Sequence, residues 1–194
     1  MKRLMCAFVA VCGMCGFAQG QAASSETVSV LLGVFDPVQT APSSVDVHGF
    51  ELGLLWDGSE NVRGISLAGG GNIAYGGLIG AQLAIGFNWN ETGGFGAMGA
   101  AGFNRTGGDF GGVQWAYGAN LCHGNLYGLQ DGCSNYANAL HGVQIGLVNM
   151  SHDCHGLQVG VINTAEKMDG IQVGILNFIK ESPLPFFPIV NAHF

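Results

Sequence analysis

Residues 142–149 read GVQIGLVN, and the chain returns to GLQVGVIN at 156–163 and to GIQVGILN at 170–177. This recurrence every fourteen residues decides the fold. A unit so short cannot bury a core alone and becomes stable only against copies of itself. Working outward, the opening glycine recurs at Gly49, Gly64, Gly80, Gly96, Gly112, Gly128, Gly142, Gly156 and Gly170, in steps of 14 to 16. A closing asparagine keeps the same beat at Asn72, Asn88, Asn104, Asn120, Asn135, Asn149, Asn163, Asn177 and Asn191. Two columns in one rhythm put a repeat over residues 49–194. Residues 49–56, GFELGLLW, read as a degenerate first copy with Trp56 in the asparagine place, and TVSVLLGVF (27–35) reads as one more strand outside the beat.

The copies come in two forms. The early one is G-x-Q-x-A-x-G-x-N, as in GAQLAIGFN (80–88); the late one, G-x-Q-x-G-x-x-N, is a residue shorter. In the early form Ala81, Leu83, Ile85 and Phe87 alternate with Gln82, Ala84, Gly86 and Asn88. Period two means a strand with one large apolar face and one small, amide-bearing face. Between copies lie DGSEN (57–61), NETGG (90–94), RTGGD (105–109) and TAEKMD (164–169), which read as turns. The fold class is therefore all-β, a single domain of about ten strand-plus-turn repeats.

Two architectures fit. A parallel β-solenoid makes each copy one coil and stacks the glycine and asparagine columns. A closed antiparallel β-barrel makes each copy a strand and a hairpin turn. A straight nine-residue strand spans about 26 Å at roughly 3.3 Å per residue, and the short polar spacers can barely return that distance. A solenoid thus requires a corner inside the motif, at Gly146, Gly160 and Gly174. The barrel needs none, and the terminal Phe194 with alternating apolar residues before it resembles the last strand of outer-membrane barrels. The expectation is a small outer-membrane-type barrel with a narrow filled lumen lined by Gln, Ala and Gly, and the solenoid is the alternative.

Residues 1–20 carry Lys2 and Arg3, an apolar run and the small-x-small site Ala18-Gln19-Gly20, the pattern of an export signal. The expected division is a signal peptide over 1–20, an N-terminal strand and linker over 21–48, and the β-repeat domain over 49–194. Beyond the signal, four Lys or Arg stand against thirteen Asp or Glu, a net charge of −9. Such a chain lacks the basic footprint of a nucleic-acid binder. Cys122, Cys133 and Cys154 remain, an odd number with no legible disulfide framework.

The copies GLQDGCSN, GVQIGLVN, GLQVGVIN and GIQVGILN, with the ending LPFFPIVNAHF, resemble a family of exported bacterial proteins built from G-x-Q-x-G-x-x-N surface repeats. The resemblance covers residues 49–194. It implies an outer-membrane or cell-surface location and carries no established activity. Gly142, Gly156, Gly170, Gln144, Gln158, Gln172, Asn149, Asn163 and Asn177 are its shared residues, and they are structural columns.

SHDCH (151–155) gathers residue types that bind zinc or copper. His141, His155 and Asp169 each precede a repeat glycine and would stack in a solenoid. With His152 and Cys154 they are the candidate metal ligands, and a solvated polar turn is the preferred reading of all five. The Gln series reads as a hydrogen-bonded structural ladder rather than a binding face. GAMGAAG (96–102) has no helix after it and is no phosphate loop. No catalytic constellation has legible spacing, so the expectation is no enzyme and no cofactor. The expected partner is the lipid bilayer or another envelope component, with a protein or glycan partner for the solenoid alternative. A metal-binding protein or enzyme is the remote alternative.

Overall fold

The computed structural model describes residues 26–194; the expected signal segment lies outside them. Among the described residues the chain is almost wholly β-strand, and the pairing is parallel except at the two ends, where the short β2 (Val38–Gln39) and the last strand pair antiparallel. Strands β3 (Asp46–Gly53), β5 (Asn61–Ala68), β7 (Gly77–Ala84) and β9 (Gly93–Ala100) run side by side in one sheet. Strands β4 (Trp56–Ser59), β6 (Gly71–Ala74), β8 (Phe87–Asn90) and β10 (Phe103–Thr106) do the same in a second. Both sheets continue into β11 (Phe110–Ile179), which coils on through the later repeats. The protein is a parallel β-solenoid.

The barrel expectation is thereby corrected. Partners along both sheets are 15 or 16 residues apart and parallel, as Gly64 with Gly80 and Asn72 with Asn88. A meander would pair neighbouring copies antiparallel. The spacers read as hairpin turns are mostly the second sheet: DGSEN overlaps β4, and TAEKMD lies within β11. The required corner falls inside the motif. Ile85 and Gly86 separate β7 from β8, and in the late copies Gln144 and Asn149 both point inward although five residues apart, which puts the bend near Gly146.

The nine repeat glycines form one column, each with φ between 127° and 154°, a region closed to residues with a Cβ. A methyl group on Gly142 would also overlap the carbonyl oxygen of Gly128. This close backbone approach explains why the column tolerates nothing but glycine.

Inside, Gln and Asn do what hydrophobic residues do elsewhere. Gln144 Nε2 donates to Gln130 Oε1 and Gln158 Nε2 to Gln144 Oε1, each at 2.8 Å. Asn149 Nδ2 donates to Asn163 Oδ1 at 2.8 Å. The Gln ladder donates toward the N-terminus and the Asn ladder toward the C-terminus, so their dipoles oppose. From Gln130 onward each Gln also reaches across its own coil, as Gln144 does to the Met150 carbonyl at 3.3 Å. Each Asn reaches a corner carbonyl of the next coil, as Asn149 does to Val159 at 2.9 Å. Buried amides are stable only when so satisfied, each bond being worth about 1 kcal/mol. The preferred reading of the Gln series as a structural ladder therefore holds. It fails toward the N-terminus: Ser66 and Met98 occupy the Gln column on either side of Gln82, which is fully buried and left without a side-chain partner. The rest of the core is mainly two columns, one two residues before the glycines, including Leu78, Phe110, Leu126 and Leu140, and one two residues after the asparagines, including Ala74, Cys122, Ala137, Ala165 and Ile179.

Both ends depart from the repeat. β1 (Thr27–Phe35), the strand expected there, pairs parallel with β3, so the sheet begins before residue 49. The ending Phe186–His193 forms β12, antiparallel on the last coil. Asn191 therefore lies opposite Gln172 and is no member of the Asn column; its spacing is coincidence. Asn177 instead ends its ladder on the Phe187 carbonyl at 3.1 Å. Pro188, which has no N–H, and Ile189, at φ 72°, interrupt β12 and blunt the edge against further strands.

Candidate functional site

The solenoid sends the SHDCH residues to different places. Cys154 enters the core, where burial pushes its thiol up to about 11. His152 projects from the second-sheet side and lies 3.6 Å from Glu166. His155 joins a column before the glycines: the rings of Tyr127, His141 and His155 stack at 4.8 and 4.9 Å, nearly parallel, and His155 Nδ1 lies 3.6 Å from Asp169 Oδ2. The expected stacking of His141, His155 and Asp169 is thus present. Stacked rings direct their nitrogens side by side rather than at one point, and among the described residues no three His, Cys, Asp or Glu side chains are grouped to hold a metal. Cys122, Cys133 and Cys154 are all free thiols, and Cys133 is exposed.

A feature missed by the motif search lies in the first coil. Asp57, not Trp56, pairs with Asn72 and so occupies the Asn column. Glu51 occupies the Gln column through its pairing with Ser66, which pairs in turn with Gln82. Both carboxyls are fully buried. Burial pushes Glu51 up to about 7. Burial, then the Glu51 charge, pushes Asp57 up to about 8. Ser59 Oγ donates to Glu51 Oε2 at 3.3 Å, and Ser66 Oγ lies 2.7 Å from Asn72 Oδ1 and 3.5 Å from Asp57 Oδ2. One oxygen of each carboxyl has no partner. A protonated carboxyl mimics the amide it replaces, so this pair is the acid form of the ladder. The signal was legible: ELGLLWD carries Glu and Asp where later copies carry Gln and Asn.

The outer surfaces offer two distinct areas. The second sheet carries a shallow groove of about 480 Å³ bounded by Tyr136, Met150, His152, Glu166, Phe178 and Lys180. Glu166 sits between His152 and Lys180, whose ammonium lies 3.3 Å away and holds the carboxyl below its usual range. The Tyr136 and His152 rings meet edge to face at 6.1 Å. Aromatic rings, a carboxylate, an imidazole and an ammonium group thus share one open trough. Farther along the same sheet Arg105 lies 4.1 Å over the Trp89 ring. The long-strand sheet differs: its outer face is apolar, with Ile79, Leu83, Trp115, Tyr117, Ile145 and Leu147 exposed. Glycines floor a groove of about 670 Å³ in its later half. No helix among the described residues is long and apolar enough to cross a membrane.

Compared with known proteins, the chain matches no family model, no curated protein sequence and no solved structure.

Proposed function

We propose that this protein is an exported β-solenoid displayed at the cell surface, a binding module that recognises a glycan of the envelope. The observation that carries the reading is the second-sheet groove. Tyr136 and Phe178 offer ring faces on which the C–H face of a sugar stacks. Glu166, His152 and Lys180 beside them offer acceptors and donors for its hydroxyls. A rigid sheet holds these groups without ordering cost, which favours affinity. The solenoid supports the reading in a second way: its interior is consumed by ladders, so recognition falls to outward side chains. The buried Gln and Asn columns take no part, and no catalytic role is assigned to any residue.

Titration of the purified protein with soluble envelope polysaccharide and peptidoglycan fragments, followed by NMR, tests this. Shifts are expected at Tyr136, His152 and Phe178, and Tyr136→Ala should weaken binding at least tenfold while leaving the fold intact. Saccharides that leave these resonances unmoved, while envelope peptides move them, would transfer the groove to a protein partner.

A further inference from the structure

The long-strand face calls for an occupant. Around each repeat glycine, the outward positions one, three and five residues after it form columns, among them Ile65, Leu83, Val113, Trp115, Ile145 and Val173. Tyr117 and Ile85, at the fifth position, are 71% and 72% exposed. An apolar area of this extent on a water-exposed surface marks an interaction site. We infer that this face is where a second copy of the chain docks, forming a face-to-face dimer.

The area favours that occupant. Eight inter-coil steps of about 4.8 Å and a width of about six residues give a face of roughly 750 Å², close to the ~800 Å² per partner of a stable dimer. The shape is self-complementary. Gly146, Gly160 and Gly174 floor a trough between a ridge of Ile145, Val159 and Val173 and a ridge of Leu147, Val161 and Ile175. Sheets pack face to face at about 10 Å by seating ridges in such troughs. A lipid surface fits less well, because the chain's charge of −7 opposes anionic headgroups.

The columns also indicate the arrangement. An in-plane two-fold running along the strands of the middle coil, that of Gly112, sets Trp115 and Tyr117 against their own counterparts at the centre, where interface energy concentrates. It sets the charged Asp131 over the small Gly99 of the other copy. It also places Asp169 opposite His48 at the rim, and Ile85 opposite Leu147. Within one chain Ile85 and Leu147 are four coils apart, about 19 Å, too far to touch. This inference concerns the opposite face from the glycan groove and stands without it.

Analytical ultracentrifugation of the purified protein gives the test. A mass twice that of one chain is expected at micromolar concentration. Tyr117→Lys and Ile85→Lys, both at highly exposed positions, should keep the native circular dichroism and weaken dimerisation at least 100-fold. Leu147→Glu added to Ile85→Lys should restore at least tenfold of the loss. A wild-type monomer at about 100 µM overturns the inference, as does a dimer indifferent to both lysines. Wild-type monomer that sediments with phosphatidylethanolamine–phosphatidylglycerol vesicles, and Tyr117→Lys that does not, would give the face to lipid instead.

Discussion

Raising the pH from about 4 to about 8 should loosen the N-terminal coils, and the double substitution Glu51→Gln, Asp57→Asn should abolish that response. The two carboxyls bind protons more tightly in the folded chain, at about 7 and about 8, than their ordinary values of 4.5 and 3.8. Where the folded state holds more protons than the unfolded, stability falls as pH rises. Their full contribution is therefore present below about pH 4. It is lost progressively as each carboxyl passes from its unfolded to its folded value, and is gone above about pH 8. The loss is on the order of several kcal/mol, since each unit of displacement is worth about 1.4 kcal/mol. In a solenoid the loss stays local, because each coil leans only on its neighbours. Hydrogen exchange of the amides of residues 46–74 at pH 5 and pH 8 reads it directly. The double variant, with no titratable group at either position, should be protected equally at both pH values and should melt higher at pH 8. Protection in the wild type that is level across this range would show that the carboxyls are not buried as a protonated pair.

Gly142→Ala should be as damaging as a single added methyl can be, as at any glycine of its column. The backbone there has φ 151°, and the added carbon would overlap the Gly128 carbonyl. Neither neighbour is a flexible side-chain end, so relief requires the coils to separate. Strain at a forbidden φ alone costs about 1–3 kcal/mol, and parting the backbone adds broken ladder bonds at about 1 kcal/mol each. A loss of at least about 3 kcal/mol is expected in urea unfolding, with exchange protection failing first in residues 128–149. Ile145→Ala, three residues on but pointing outward and 43% exposed, should cost under about 1 kcal/mol. Equal effects from the two substitutions would contradict the stacked glycine column.

How much of this was written in the sequence differs by feature. The glycine and asparagine columns, the all-β class and the strand at 27–35 were legible because a stacked repeat must place like residues at like positions. The direction of pairing was not, because parallel stacking and antiparallel hairpins both satisfy a one-strand beat. The deciding element was the corner at Gly86 and Gly146: with it, the polar spacers become a second sheet instead of turns. Which face turns inward was legible: the interior was expected to be lined by Gln, Ala and Gly, and Leu83 and Ile85 do lie outside, because amide ladders fill the space that apolar residues usually occupy. The Glu51 and Asp57 pair escaped because the first copy was aligned on Trp56, one residue short of the column. The second-sheet groove was not legible at all, since Tyr136, His152, Glu166 and Phe178 come from four successive coils and share one surface only when these stack.

Distances between spin labels along one column test the solenoid itself most directly. With Cys122, Cys133 and Cys154 replaced by alanine or serine, labels are placed at Ile85 and Val161 in one variant and at Ile85 and Ile175 in another. Each is diluted into unlabelled protein so that only distances within a chain are read. Coils about 4.8 Å apart predict backbone separations of about 24 Å for the first pair and about 29 Å for the second, growing by one step per coil. A closed barrel bends its later strands back toward the first, so a second distance equal to or shorter than the first would contradict the stacked-coil fold.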